Sequence, residues 1–237
     1  MSRPRTLVLS LKTAPDDFGG ANAERSGADT TRSLALRHLA LQSGTASELL
    51  RSPLTAKIVA IALCDADLGK GKVFYEPAYP DNESLPEAVS MFSDDERTAV
   101  QFEPADEVEM LMRFWSASAH YTEFITFGGA IFDHPFILTR SALHRIKPSK
   151  LLGKSKDVCI DLSDELSQHR ALHLFPLEFY AKRFGLSIGA PLEAVPDAAA
   201  VADLYTQGRL HEIAELCWRD AALTAALYKI WREHFRL

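Results

Sequence analysis

The stretch Ile125–Pro135, ITFGGAIFDHP, places a strand, a glycine turn and the start of a helix directly after one another. β-branched and aromatic residues predict the strand over 123–127, and Pro135 is typical of the first turn of a helix, here predicted from Asp133 to about Ile146. Asp133 stands at the junction and has two interpretations that the residues alone do not separate. It is either the N-cap of the helix or a ligand-binding carboxylate at the C-terminal edge of a sheet.

The segments on either side of this stretch extend the α/β pattern. Apolar runs predict three earlier strands, over Thr6–Leu11, Lys57–Cys64 and Lys72–Tyr75. The rest of the pattern predicts a loop over 77–96, a helix over Asp106–His120, a strand over Val158–Leu162, and helices from Ser163 onward, the last over Leu210–Phe235. This order predicts an α/β fold with a mixed central sheet flanked by helices. We expect a single domain over 1–237, with an insertion at about 18–53 between the first two strands.

Composition and charge exclude several classes of protein. The chain has 237 residues, of which 47% are apolar and 24% charged, as in a globular protein and unlike a disordered or coiled-coil chain. No apolar run has the length of a membrane span, and three widely spaced cysteines define neither a disulfide framework nor a structural zinc site, so we expect a cytoplasmic protein. A net charge of −6 does not suit an indiscriminate nucleic-acid coat protein. It does not exclude an enzyme that handles phosphodiesters through metal ions.

Asp220 is a second candidate, because it lies on the apolar stripe of the last predicted helix. A carboxylate on a core-facing stripe is costly unless it is paired or binds a metal. The alternative is an aspartate at the rim that pairs with a neighbouring arginine. Both interpretations remain open at this point.

Two other clusters have simpler explanations than a functional site. Five cations lie within twelve residues, and we prefer a solvated loop at a helix C-terminus to a phosphate-contacting loop: Arg145, Lys147, Lys150, Lys154 and Lys156. His169 and His173 stand four apart on a predicted helix, but the sequence offers them no third ligand. We therefore do not predict a zinc site there.

Three segments resemble motifs of one family, the predicted 3′–5′ exonucleases related to the proofreading domain of B-family DNA polymerases. The stretch ending in Asp133 is similar to the family's second motif, N-G-x-x-F-D-x-P, and Leu216–Asp220 with the preceding segment is similar to its third motif, Y-C-x-x-D. Asp161–Leu166 is similar to the family's D-L-x-D-x-L stretch. The resemblance covers Leu7–Pro15 and most of 55–237. It implies a ribonuclease-H-like fold of the DEDD exonuclease superfamily.

The same resemblance implies a degenerate active site. The family's first motif, F-D-I-E-T-x-P, aligns with Leu9–Pro15, where Ser10 replaces the metal-binding aspartate and Lys12 the glutamate. Gly128 replaces the asparagine of the second motif, and Leu216 replaces the tyrosine of the third. Two of the family's four carboxylates remain as catalytic remnants, Asp133 and Asp220.

Loss of two anionic ligands opposes two-metal phosphodiester cleavage, in which two divalent ions activate water and stabilise the leaving oxygen. We therefore expect a catalytically impaired domain without a cofactor. The alternatives are an active 3′–5′ exonuclease, in which Asp133 and Asp220 hold Mg²⁺ or Mn²⁺ with substitute ligands such as Asp16 or Asp17, and a protein-interaction module. If nucleic-acid binding is retained, a single-stranded 3′ end is the expected partner, and the candidate contacts are Phe132, Lys147, Lys150 and Lys154. No membrane association is expected, and the sequence names no protein partner.

Lys12 carries one further expectation, which follows from electrostatics. If the first strand places it beside the two remaining carboxylates, its ammonium supplies the positive charge that a metal would otherwise supply. The sequence therefore predicts a salt bridge from Lys12 to Asp133, Asp220 or both, with no divalent metal at the site.

Overall fold

A mixed sheet with helices on both faces forms the part of the chain that the computed structural model describes, residues 5–16, 49–78, 89–92, 99–153, 159–186 and 198–236. The strands are β1 (Thr6–Pro15), β2 (Ala56–Asp65), β3 (Gly71–Tyr75), β4 (Val89–Phe92), β5 (Ala99–Pro104), β6 (Glu123–Thr126) and β7 (Cys159–Asp161). The helices are α1 (Glu107–Ser118), α2 (Asp133–Leu143), α3 (Leu162–Leu166), α4 (Leu177–Arg183), α5 (Ala198–Thr206) and α6 (Leu210–His234). Most of the predicted insertion at about 18–53 lies outside the described residues.

The strands lie in the order β4-β5-β3-β2-β1-β6-β7. β1, β2 and β3 are successively antiparallel, while β6 and β7 run parallel to β1 on its other side, so the sheet is mixed as predicted. Three antiparallel strands followed by two parallel ones, with helices on both faces, make the ribonuclease-H-like arrangement that the resemblance implies. β5 and β4 extend the sheet beyond β3.

Strand β1 alternates between the two faces of the sheet, as the two-residue period of a strand requires. Its residues Leu7, Leu9 and Leu11 pack in one core with α1 and α2. Val8 packs in the other core, with α6. Ser10 and Lys12 share the face of Val8, so the alternation of β1 directs both of them toward α6.

Helix α6 crosses the sheet on that face and is positioned by a close approach to β3. A Cβ atom added to Gly71 would lie 2.0 Å from the Trp218 ring, so that only glycine admits the indole there. Cys217 donates from Sγ to the Ser10 carbonyl oxygen at 3.3 Å. Together these contacts fix the register of α6 against β1, and with it the position of Asp220.

Three predictions of secondary structure were wrong. β4 lies inside the predicted loop 77–96, and β5 was not predicted, although Val100 and Phe102 alternate with Gln101 and Glu103 in the manner of a strand. Residues 167–173 are not helical, because Gln168, His169 and Arg170 all have positive φ angles (53°, 54° and 65°). The pair His169 and His173 is therefore not presented on a helix.

No helix within the described residues is long and apolar enough to span a membrane.

Candidate functional site

The ammonium of Lys12 forms an ion pair with Asp220 at the junction of β1 and α6. The Lys12 Nζ to Asp220 Oδ2 distance is 2.5 Å, and both side chains are 16% exposed. Burial is the largest single influence and lowers the pKa of Lys12, but the charge and the hydrogen bond of Asp220, with a contribution from Cys217, together raise the pKa above its usual value. The predicted salt bridge is confirmed, with Asp220 as the bonded carboxylate.

Asp133 is the first residue of α2 and is only 6% exposed. The N-cap is Phe132, which makes no side-chain capping bond, so the N-cap interpretation of Asp133 was wrong. Burial, and then the negative charges of Asp161 and Asp220, raise the pKa of Asp133 to about 8 despite the nearby Lys12. The carboxyl of Asp133 is therefore mainly protonated at neutral pH.

Arg219 and Glu178 extend the ion pair into a short network, in which the sequence did not predict Glu178. Arg219 Nη2 lies 3.4 Å from Asp220 Oδ1 and 3.7 Å from Glu178 Oε1. The side chains of Arg219 and Glu178 are 15% and 10% exposed, so little solvent screens them. Asp220 thus has a cation at each of its carboxylate oxygens. The pairing of Asp220 with a neighbouring arginine, which was the simpler interpretation of its sequence position, is therefore also present.

Asp161 holds the glycine turn that precedes Asp133. Its carboxylate accepts hydrogen bonds from the backbone N–H groups of Gly128 (2.7 Å) and Ala130 (2.9 Å), and from the N–H (3.0 Å) and hydroxyl (2.8 Å) of Ser163. Both oxygens are engaged. This carboxylate was part of the family resemblance but was not predicted as a site residue, and its role here is to position the turn.

The two glycines of that turn are required for different geometric reasons. Gly128 has φ of +78°, a left-handed conformation that glycine adopts freely and that asparagine, the residue of the family motif, tolerates better than most. A Cβ on Gly129 would lie 2.5 Å from Asp133 Oδ2. The absence of a side chain at Gly129 therefore lets the Asp133 carboxyl fold back against the turn.

The two remaining degenerate positions lie beside the ion pair. Ser10 is half-buried on β1, and its carbonyl oxygen accepts a hydrogen bond from the Cys217 thiol. Leu216 is half-buried on α6, so that a hydrocarbon stands where the family's motif has a phenol. Burial raises the pKa of the Cys217 thiol to about 12, so this neighbour stays neutral.

Of the three predicted nucleic-acid contacts that the structure describes, only Phe132 lies beside Asp133, where the centroid of its ring is 4.8 Å from that of Phe136. Lys147 is exposed beyond the C-terminus of α2, a helix whose 11 residues span about 16 Å. Lys150 donates a hydrogen bond to the Tyr121 carbonyl oxygen. Tyr121 precedes β6, whereas Asp133 follows it, so Lys150 lies at the other end of this strand from Asp133. Lys154 lies outside the described residues.

The residues present do not fit a two-metal site. Divalent magnesium and manganese need several oxygen donors, preferably ionised carboxylates. Here Asp220 is paired with Lys12 and Arg219, the pKa of Asp133 is raised to about 8, and Asp161 accepts hydrogen bonds from backbone donors. Within the described residues no group of three or more His, Cys, Asp or Glu side chains is placed to hold a metal. Of the proposed substitute ligands, Asp16 pairs with Arg140 at 2.6 Å, and Asp17 lies outside the described residues.

An aromatic cavity of about 550 Å³ adjoins this edge of the sheet. Phe127 and Phe175 line it together with Asp161 and Arg170. Phe175 stacks on Phe179 with ring centroids 4.2 Å apart, and these two rings are 37% and 44% exposed. Aromatic surface is therefore available to a ligand next to the degenerate motifs.

Fold and site together define an exonuclease-like α/β domain in which a lysine pairs with one of the remaining carboxylates. The sequence model of the family described as "predicted 3′–5′ exonuclease related to the exonuclease domain of PolB" matches residues 49–234, and the chain belongs to this family. The search of curated proteins gave no match.

Among solved structures, the chain is similar to the family B DNA polymerase from the hyperthermophilic archaeon Pyrobaculum calidifontis, with a TM-score of 0.59 and 12% identity. The match covers 97% of this chain and 25% of the polymerase, so the chain spans about a quarter of that protein's length. At this identity the likeness concerns the fold.

Proposed function

We propose that this chain is a catalytically inactive 3′–5′ exonuclease-like domain that binds single-stranded nucleic acid without cleaving it. The observation that carries the proposal is the 2.5 Å ion pair between Lys12 and Asp220, at the position where the family motif has a metal-binding glutamate. An ammonium there repels a divalent cation and occupies one of the two carboxylates that would bind it.

The protonation of Asp133 supports the same conclusion. A metal ligand must give up its proton, and a pKa raised to about 8 makes this unfavourable at neutral pH and so lowers the affinity for a metal ion. Displacing Lys12 from Asp220 adds a second cost, because the freed ammonium is only 16% exposed.

Binding without cleavage is supported by the aromatic cavity beside Asp161. Phe175 lines this cavity and Phe179 stacks on Phe175, and both are exposed over a third or more of their surface. Stacking of a base on an aromatic side chain contributes about 1–3 kcal/mol and needs no metal ion. Stacking can therefore contribute to the binding of a single strand here, although only two of the four metal-binding carboxylates of the family remain.

The test combines cleavage and binding on the same oligonucleotides. End-labelled single-stranded DNA and RNA are incubated with the protein in Mg²⁺ or Mn²⁺, and Asp133→Ala is the control for contaminating nuclease. We expect no shortening from the 3′ end, together with binding by fluorescence anisotropy at low salt that weakens about tenfold in Phe175→Ala. Metal-dependent shortening that disappears in Asp133→Ala would contradict the inactive assignment. Absence of binding at low salt would instead favour the protein-interaction alternative.

A further inference from the structure

A second cavity, of about 640 Å³, lies at the end of the central strands opposite to the end that carries Asp133. It opens where β1 begins and where β2 ends, and Thr6, the first residue of β1, is about 20 Å along the strand from Lys12. Tyr121, on its wall, precedes β6, whereas Asp133 follows it. This cavity, called here the basic cavity, is thus separate from the degenerate site.

Positive charge dominates the basic cavity although the protein as a whole carries −6. Arg5, Lys70 and Lys72 line it with His120, and of its described lining residues Asp65 is the one acid. The permanent charges of these lining residues therefore sum to +2, or to +1 when Glu103, the partner of Lys72, is included. Lys72 is paired with Glu103 at 2.5 Å, which leaves Arg5 and Lys70, both exposed, as the cations directed at a ligand.

The charge of Asp65 is already engaged by the protein. Its Oδ1 accepts the N–H groups of Asp67 (3.1 Å) and Leu68 (2.9 Å), and its Oδ2 accepts the Tyr121 hydroxyl at 3.1 Å. These three hydrogen bonds hold the Asp65 carboxylate against the hairpin turn and Tyr121. Its negative charge remains, so Arg5 and Lys70 together must outweigh it when an anion binds.

The basic side chains stand on backbone that the fold holds rigidly. The Arg5 carbonyl oxygen accepts the N–H groups of Thr122 (3.0 Å) and Glu123 (3.2 Å), and its guanidinium lies 4.9 Å from the centroid of the Tyr121 ring. The Lys70 carbonyl oxygen accepts the Asp65 N–H at 2.8 Å across the hairpin turn. Binding of an anion there requires little reorganisation of the main chain, which favours affinity.

Apolar side chains complete the cavity beneath and beside the cations. Leu7 and Leu63 are buried in its floor, while Leu68 is 62% exposed on its wall. An inorganic anion uses only the cations, whereas a ligand with an apolar or aromatic body also covers Leu68 and Tyr121. We propose that the basic cavity binds a nucleotide, with the phosphate toward Arg5 and Lys70 and the base or sugar against the apolar surface.

The proposal is tested by calorimetric titration with a nucleoside 5′-monophosphate, the matching nucleoside and inorganic phosphate. We expect the monophosphate to bind at least tenfold more tightly than either part alone, and its affinity to fall at least tenfold in Arg5→Glu/Lys70→Glu. Arg51→Glu, which reverses an exposed cation outside the cavity, is the matched control and should bind as the unmodified protein does. Melting curves establish that each variant is folded.

A second arm separates the two sources of a nucleotide phosphate. A short oligonucleotide without terminal phosphates competes with the monophosphate if the cavity takes a strand, and does not compete if it takes a free nucleotide. Equal affinity for monophosphate and nucleoside would overturn the proposal, because the cations would then play no part. Full binding by Arg5→Glu/Lys70→Glu, or no binding of the monophosphate by the unmodified protein, would overturn it as well.

Discussion

Replacing Asp133 by asparagine should stabilise the protein, and the gain should increase as the pH rises. The carboxyl of Asp133 has a pKa of about 8 in the folded protein because it is buried near Asp161 and Asp220, and about 4 in the unfolded chain. Since the folded pKa is the higher one, the folded state retains a proton that the unfolded state loses above about pH 4. Folding is therefore penalised progressively between these two pKa values, and asparagine removes the penalty.

The size of the effect follows from linkage and depends little on the contacts of the new amide. A difference of one bound proton changes the free energy of unfolding by about 1.4 kcal/mol per pH unit. Between pH 5 and pH 7 the advantage of Asp133→Asn should therefore grow by about 3 kcal/mol. For a protein of this size, that corresponds to about 6–12 °C in the difference between the two melting temperatures.

The measurement is urea unfolding of both proteins at pH 5, 6 and 7 in the presence of a chelator, followed by melting curves at the same pH values. Asp203→Asn, which replaces an exposed carboxylate of α5 by the same amide, is the matched control and should leave the pH dependence of the unmodified protein in place. A stability difference between Asp133→Asn and the unmodified protein that stays constant over this range would refute the reasoning. It would mean that Asp133 is ionised in the folded protein at pH 5.

Three further predictions test the packing and the charges of the fold. Lys12→Glu combined with Ser10→Asp should give a melting temperature that rises with Mn²⁺, whereas the unmodified protein should show no such rise; equal responses would contradict the alignment of the first motif. Gly71→Ala should cost about 1–3 kcal/mol in urea unfolding because its methyl group meets the Trp218 ring, and a neutral result would mean that α6 shifts freely. Glu123→Gln should cost about 1–3 kcal/mol, since the buried carboxylate accepts the Tyr228 hydroxyl at 2.6 Å and pairs with Arg236 at 2.9 Å; unchanged stability would show that the amide replaces these bonds.

The central part of the fold could be predicted from the sequence because its signals are local. The apolar run of β2 and the helical periodicity of α1 and α6 identify buried elements without knowledge of their partners. β5 also carries a readable alternation, but it is six residues long and closely follows a loop region rich in proline and charge. The consecutive left-handed residues at 168–170 have no such signal, because none of them is glycine.

The residues of the candidate site also fall into those that the sequence could predict and those that it could not. The pairing of Lys12 with Asp220 was predictable, because a two-residue period and a motif alignment are enough to place both residues on facing surfaces. The roles of Asp161 and Glu178 were not, since each depends on a contact between elements far apart in the chain. Asp161 and Gly128, for example, are 33 positions apart, and no spacing rule relates them.

The ion pair between Lys12 and Asp220 gives the domain a counterion that cannot leave. A bound metal is shared with the surroundings, so its occupancy falls with dilution or in the presence of a chelator. The ammonium of Lys12 is attached to β1, and its concentration at Asp220 is set by the fold alone. The contact between β1 and α6 therefore keeps its balance of charge in metal-rich and metal-poor surroundings alike.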